Sequence, residues 1–233
     1  MSVNPIGPEV EAHSAQWPER KIIEGKSVRL EPLEEKHGDA LYEVVGGADR
    51  AALWDYMFEG PFTNIEDFRK YVSEKAQKED PVFFAIINKA SDRAIGIATL
   101  MRIDVTSRVL EVGNLMFSPV LQRSTASTEV QYLLARTVFE ELGYRRYEWK
   151  CNNLNAPSQR SAVRLGFTFE GVFRQHMIVK GRNRDTAWFS MIDKEWPTIK
   201  QAFETFLAPD NFDASGHQRR GLATLRESSK FQA

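Results

Sequence analysis

A run of small hydroxyl residues lies directly before a long amphipathic segment in the stretch "FSPVLQRSTASTEVQYLLARTVFEELGY". The segment from about Thr128 to Leu142 has the apolar spacing of a helix, and Gly143 follows it as a normal C-terminal glycine. The first turn of a helix leaves backbone N–H groups without partners and carries the positive end of the helix dipole, so it favours phosphate. The run is therefore a candidate anion-binding loop, although it contains no glycine: Gln122, Arg123, Ser124, Thr125, Ala126 and Ser127.

Two interpretations of this run stay open on local chemistry alone. In the first, hydroxyl groups donate to phosphate oxygens and Arg123 adds a cation. In the second, the hydroxyl residues are ordinary caps at a helix start, which Ser and Thr commonly provide. The hydroxyl residues in question are Ser124, Thr125, Ser127 and Thr128.

A second candidate site is the aromatic stretch "ALWDYMFEGPF", which ends at a Gly-Pro pair where a loop is expected. Exposed aromatic loops are often binding surfaces, so the stretch is a candidate wall for a substrate with apolar bulk. The alternative is a loop buried as a small satellite core. The candidate substrate-binding residues are Trp54, Tyr56, Met57, Phe58 and Phe62.

Strands and helices alternate along the rest of the chain in a way that predicts an α/β fold. Period-two patterns at "SVRLEPL", "PVFFAIIN", "AIGIATLMRI" and "VLEVGNLMFS" predict a meander of strands. The later segments "RRYEWKC", "FTFEGVFRQHMIV" and "TAWFSMI" predict further strands, separated by helices. Because meander strands are followed by strand–helix–strand units, we expect one mixed α+β sheet of about seven strands with helices on both faces. The charged turn "KGRNRD" is expected to be solvated.

Composition and length narrow the class of protein. The 233 residues include one cysteine and four scattered histidines, which argues against a disulfide framework or a metal site. A formal charge of -1 gives no general attraction to nucleic acid or to a membrane surface. We expect a cytoplasmic domain over residues 21–207, an N-terminal arm over 1–20 and a polar tail over 208–233.

Several motifs together resemble the GNAT superfamily of acyl-CoA-dependent N-acetyltransferases. They are "F-S-P-x-x-Q" before the long helix, then "N-N-x-N-x-x-S", then "R-L-G-F-x-x-E-G-V-x-R". The resemblance covers roughly residues 21–197. Within the superfamily, the chain resembles in particular the branch that acetylates the N-termini of ribosomal proteins. It implies a GNAT-like fold and a loop whose amides hold the pyrophosphate of coenzyme A. Gln122 matches the first position of that loop, whereas Thr125 and Ser127 stand where the family has glycines.

The resemblance also implies positions for the acetyl-CoA chain. Backbone groups of Leu115, Met116 and Phe117 are expected to face the acetyl group and the pantetheine arm. Asn155 matches a coenzyme-contacting asparagine, and Ser158 matches a serine that hydrogen bonds the departing sulfur. The tyrosine that many relatives use as the acid is absent, since Ala162 stands at its position.

A base is needed to deprotonate the attacking ammonium. Glu111 is the first candidate, and Glu170 and His176 on a later strand are candidates beside the acceptor. The predicted function is acetyl transfer from acetyl-CoA to a primary amine, either a small amine, an amino acid or a protein N-terminus, by direct attack in a ternary complex. The alternative is a catalytically idle acyl-CoA-binding module of the same fold. We expect no metal and no nucleic acid or membrane partner, and a monomer or homodimer.

Overall fold

In a computed structural model, which describes residues 4 and 6–230, the chain is built around one eight-stranded sheet. The strands are β1 (Ile23–Glu24), β2 (Val28–Pro32), β3 (Val82–Asn88), β4 (Arg93–Asp104), β5 (Val109–Phe117), β6 (Arg146–Asn152), β7 (Thr168–Val179) and β8 (Arg182–Ile192). Their spatial order is β1-β2-β3-β4-β5-β6-β8-β7. Neighbouring strands pair antiparallel except β5 and β6, which pair parallel.

Helices cover both faces of this sheet, as the sequence predicts. They are α1 (Gly38–Val45), α2 (Ile65–Ala76), α3 (Thr125–Arg136), α4 (Ala156–Leu165), α5 (Trp196–Leu207) and α6 (Leu222–Lys230). A π-helical turn over Thr137–Glu141 continues α3. The predicted mixed α/β architecture is confirmed, with one strand more than expected because the two-residue β1 carries too few positions to show a period.

Two hydrophobic clusters lie on opposite sides of the sheet. The larger joins α3, α5 and α6 to residues such as Leu110 and Trp149. The smaller packs α1 and α2 on the β3–β4 half, around residues such as Phe68 and Ile97. On the same face as the smaller cluster, the β5–β8 half of the sheet is not covered by α1 and α2. Charged and polar side chains point from this half into a cleft.

The chain ends differ from the expected arm and tail. Ala15 is buried, and its N–H donates to the carbonyl of Val105 at 2.9 Å, so this part of the arm is docked on the domain. The segment from Ala208 contains α6, whose Leu222 and Leu225 are buried in the larger cluster. The prediction of a polar tail is therefore wrong for α6: two leucines three residues apart suffice to bury one side of a short helix. Residues 231–233 lie outside the described part of the chain.

A cluster of charges at the end of β2 bears on stability. Glu31 is buried and accepts hydrogen bonds from Arg29 at 2.7 Å and from His37 at 3.1 Å, while Lys36 lies 3.2 Å away. Burial alone would raise the pKa of Glu31, but the hydrogen bonds from Arg29, His37 and Lys36 outweigh it and lower that pKa from 4.5 to about 2.

Candidate functional site

The parallel strands β5 and β6 separate halfway along their length. They pair from Val109 with Arg146 to Val112 with Trp149, and no further. On its other edge β5 carries a bulge, since Gly113 pairs with Thr99 and Met116 with Ile97 across a register shift. The β5 backbone beyond Val112 therefore keeps N–H and C=O groups that β6 does not use. An extended chain fits into such an opening.

The three β5 positions expected to face acetyl-CoA lie along this opening. Leu115 lines the cleft, while Met116 is buried between the sheet and the smaller cluster. Phe117 is half-buried, and its carbonyl accepts a hydrogen bond from Gln122 Nε2 at 2.8 Å. Gln122 thus joins the end of β5 to the predicted anion loop.

Helix α3 begins at Thr125, three residues earlier than the sequence predicts. Ser124 is its N-cap, and the Ser124 hydroxyl oxygen accepts from the N–H of Ser127 at 3.1 Å. The N–H groups of Thr125 and Ala126, the first two helical residues, have no intrahelical acceptor in an α-helix and point out from its positive end. Arg123 has φ 58°, the left-handed conformation that glycine adopts most readily.

The hydroxyl groups of this run are mostly used within the protein, which corrects one expectation. Ser124 Oγ donates to the carbonyl of Leu121 at 2.6 Å, and Ser127 Oγ donates to the carbonyl of Ser124 at 2.7 Å. Thr128 is buried, and its Oγ accepts from Arg164 at 2.8 Å. Capping and anion binding are therefore compatible: side chains cap the helix, and backbone amides of Thr125 and Ala126 remain for an anion.

A cleft opens where β5 and β6 separate, on the face away from α3. It encloses about 700 Å³, including space open to solvent. Tyr56, Met57 and Phe58 of the aromatic loop form one wall, as predicted. The strands contribute polar side chains to the cleft: Arg102, Glu111, Asn114, Lys150, Asn152, His176, Arg184 and Thr186.

Glu111 is the buried carboxylate of this cleft. Its Oε2 lies 2.9 Å from Lys150 Nζ and 3.3 Å from Arg102 Nε, but makes no hydrogen bond of good geometry with a described residue. Burial raises the pKa of Glu111, and the charges of Lys150 and Arg102 oppose that rise only in part. A buried carboxylate of raised pKa that lines a cleft has the properties of a general base.

Asn155 and Ser158 stand together at the other side of the opening. Asn155 is the N-cap of α4, and its Oδ1 accepts from the Ser158 N–H at 3.1 Å. Ser158 Oγ accepts from Trp149 Nε1 at 3.1 Å, and the same hydroxyl hydrogen bonds the thiol of Cys151. Asn155 therefore caps α4 and also lines the cleft, and its contact with the coenzyme stays a prediction. The single cysteine, Cys151, is buried beside them, and burial raises its pKa.

His176 lies at the cleft, as predicted, with Nδ1 3.0 Å from Thr186 Oγ1. Burial lowers its pKa, and the nearby charges of Arg102, Arg184 and Lys150 lower it further. The imidazole is therefore neutral at pH 7.

Three other predicted substrate contacts are wrong. Trp54 is fully buried, with its Nε1 donating to the carbonyl of Val45 at 2.8 Å, and Phe62 packs on its ring at 4.9 Å. Both belong to the smaller cluster because the loop folds back under α2. Glu170 does not line the cleft, since Arg146 and Ser190 hold its carboxylate at another point on the same face of the sheet.

Sequence patterns did not single out Lys150 or Arg184 as cleft residues. Lys150 is almost fully buried, 3.8 Å from the centre of the Trp188 ring. Arg184 was expected to be solvated with the rest of its turn, but it begins the alternation of inward residues along β8. Arg184, Thr186, Trp188 and Ser190 occupy alternate positions, and that period is visible in the sequence.

Two absences hold for the described residues. None of their helices has the length and apolar character needed to cross a membrane. They contain no cluster of three or more His, Cys, Asp or Glu side chains suited to a metal ion.

Known proteins are similar to this chain in fold and in sequence. Residues 27–168 match the family model described as an acetyltransferase (GNAT) domain. A GCN5-related N-acetyltransferase from Brucella melitensis is 49% identical, with a TM-score of 0.89 over 92% of this chain and 97% of that chain. The uncharacterized N-acetyltransferase p20 of Bacillus licheniformis is 29% identical over 144 residues, which are 60% of this chain and 80% of p20.

A more distant structure contains the coenzyme. RimL, a ribosomal L7/L12 α-N-protein acetyltransferase in complex with coenzyme A, has a TM-score of 0.63 over 74% of this chain and 99% of its own, at 21% identity. At that identity the likeness concerns the fold alone. With the family match spanning more than half of the chain, and with β5 and β6 separating beside the start of α3, the protein belongs to the GNAT acetyltransferase family.

Proposed function

We propose that the protein transfers an acetyl group from acetyl-CoA to a primary amine by direct attack in a ternary complex. The observation that carries the proposal is the position of Glu111, a buried carboxylate that lines the cleft beside the opening between β5 and β6. Acetyl transfer to an amine needs an acyl donor held beside the amine and a group that accepts the ammonium proton.

The residues around the opening suit coenzyme A without a glycine loop. Backbone amides of Thr125 and Ala126 at the start of α3 suit a pyrophosphate, because helix N-termini favour anions. The unpaired β5 edge from Asn114 to Phe117 suits an extended pantetheine arm, to which peptide groups can hydrogen bond. When bound there, the coenzyme supplies the acetyl group as a thioester.

Glu111 is assigned the proton from the acceptor ammonium. Burial brings the pKa of the carboxyl nearer to that of an amine, which favours the transfer. The charges of Lys150 and Arg102 favour the ionised form of the carboxylate and hold it in place.

Ser158 is assigned a hydrogen bond to the sulfur that leaves. Trp149 Nε1 donates to the Ser158 hydroxyl and holds it at the cleft, next to the sulfur of Cys151. Ala162, at the position where many relatives have a tyrosine, is fully buried, and no described hydroxyl replaces that tyrosine from this turn of α4.

The test is Glu111→Gln, assayed for acetyl transfer from acetyl-CoA to a panel of primary amines. We expect kcat/KM to fall about 100-fold or more, the usual range for loss of a general base, while acetyl-CoA still raises the melting temperature. Glu170→Gln is the matched control, since that carboxylate lies outside the cleft and its loss should leave activity nearly unchanged.

An opposite result would favour the idle module. If acetyl-CoA stabilises the unmodified protein but no amine in a broad panel is acetylated, the domain binds the coenzyme without turnover. Equal activity of the Glu111 and Glu170 variants would instead remove Glu111 from the mechanism.

A further inference from the structure

Arg184 is a buried cation of the cleft that has no acidic partner. Its exposed fraction is 7%, yet no described carboxylate lies within ion-pair distance of it. Its Nε lies 3.3 Å from Thr186 Oγ1, and its guanidinium lies 4.9 Å from the centre of the Phe58 ring. Neither terminal nitrogen has a hydrogen-bond acceptor among the described residues, so both remain available to the cleft.

The other two cations of the cleft are neutralised. Arg102 lies 3.3 Å from Glu111, and Lys150 lies 2.9 Å from Glu111 and 2.6 Å from Glu148. Two cations therefore face two carboxylates, and Arg184 remains as a net positive charge. Burial lowers the pKa of His176 most, and the charges of Arg102, Arg184 and Lys150 lower it further.

An unpaired buried guanidinium is unfavourable in a folded protein unless an anion joins it. Arginine presents its N–H groups as a planar fork that fits a carboxylate through two parallel hydrogen bonds. Thr186 and the ring of Phe58 fix the plane of this fork. The arrangement is that of a site prepared for an anion.

We propose that Arg184 binds a carboxylate carried by the acceptor amine. This inference rests on the proposed function, because it concerns a second charged group of the same acceptor. Glu111 binds the ammonium group of the acceptor, and Arg184 binds its carboxylate. Amino acids, or peptides with an acidic residue near the N-terminus, then fit the cleft. Polyamines do not, since their further positive charges would lie beside Arg184 and Lys150.

The test compares acceptors that differ only in the carboxylate. The first arm compares α-amino acids with their α-amides. The second arm compares the peptides Asp-Ala and Asn-Ala, both as C-terminal amides. The third arm is spermidine, which carries no carboxylate. We expect kcat/KM to be about 10- to 100-fold higher for the carboxylate member of a pair, as for loss of one charged hydrogen-bonded contact. The first arm identifies an α-carboxylate and the second a side-chain carboxylate.

The variant that tests the residue itself is Arg184→Gln. It should remove that preference by lowering kcat/KM for the acids and leaving the amides within about threefold, whereas Arg184→Lys should retain part of the preference. Arg182→Gln is the matched control, because Arg182 is exposed in the same turn and should leave the preference unchanged.

Three results would overturn the assignment. They are equal rates for acids and amides in the unmodified protein, a preference that survives Arg184→Gln, and no acetylation of any carboxylate acceptor although acetyl-CoA raises the melting temperature. In each of these the coenzyme part of the proposed function stands. If acetyl-CoA neither stabilises the protein nor donates to any amine, the proposed function fails, and the assignment of Arg184 fails with it.

Discussion

Replacing Thr125 by Asp tests whether the start of α3 binds the pyrophosphate. Thr125 is exposed and is the first residue of the helix, so the change alters charge without disturbing packing. A carboxylate about 5 Å from each of two phosphate charges costs roughly 0.8 kcal/mol per pair in water. The cost is about 3 kcal/mol per pair at the lower effective dielectric constant of a protein surface. The dissociation constant of acetyl-CoA should therefore rise about tenfold or more.

The same substitution has the opposite effect on the free protein. An acidic residue in the first turn stabilises a helix by about 0.3–1 kcal/mol through the helix dipole. The melting temperature without ligand should therefore hold or rise slightly, while the increase caused by acetyl-CoA is lost. Misfolding of the variant would lower both quantities, so the two effects are separable.

The assay is thermal unfolding with and without millimolar acetyl-CoA. At a ligand concentration 100 times the dissociation constant, the unmodified protein should gain about 2.7 kcal/mol. Thr125→Asn, of similar size but neutral, is the control and should keep most of that gain. A full ligand effect in Thr125→Asp would refute the reasoning, since no anion could then lie at these amides.

Three further predictions concern stability and access to the cleft. Because folding lowers the pKa of Glu31 from 4.5 to about 2, this carboxylate adds about 3 kcal/mol to the free energy of unfolding above pH 5. That contribution is lost as the pH falls towards 2. In urea unfolding at several pH values, the free energy of unfolding should therefore fall less with acid in Glu31→Gln than in the unmodified protein. Trp54→Ala should lower the free energy of unfolding by about 3–5 kcal/mol, because the indole is fully buried, whereas Tyr56→Ala at the exposed end of the same loop should cost about 1 kcal/mol or less. Maleimide labelling of Cys151, the single cysteine, should be slow because burial raises its pKa, and acetyl-CoA should slow it further; unchanged labelling with saturating ligand would place the coenzyme elsewhere.

Local patterns in the sequence predicted most of the elements. Alternation along β3, β4 and β5 identifies strands because side chains of a strand point to opposite faces at every second residue. The apolar spacing after the hydroxyl run identifies α3, and capping chemistry explains why that helix begins at Thr125 rather than Thr128. The sequence did not predict β1 or the burial of two leucines of α6, because elements of that size have almost no hydrophobic period.

Side-chain direction was the weaker part of the prediction. The aromatic loop was recognised as a unit, but its members divide between cleft and core: Tyr56 lines the cleft and Trp54 is buried in the smaller cluster. Composition cannot make that division, because the same aromatic ring serves either purpose. Likewise Glu111 and Glu170 are similar glutamates on strands, and only the sheet order brings one to the opening and the other to Arg146.

By itself, the sequence determined the fold class, the family and the position of the hydroxyl run at the start of the long helix, since these depend on local periods and on motifs that lie within short stretches of chain. The tertiary structure alone decided which charges share the cleft. Arg102, Glu111, Lys150 and Arg184 come from four different strands, and their neighbours depend on the crossover that places β8 beside β6. Whether a buried charge is neutralised or left for a ligand is a property of those long-range neighbours, and so the unpaired guanidinium of Arg184 becomes visible only in the folded chain.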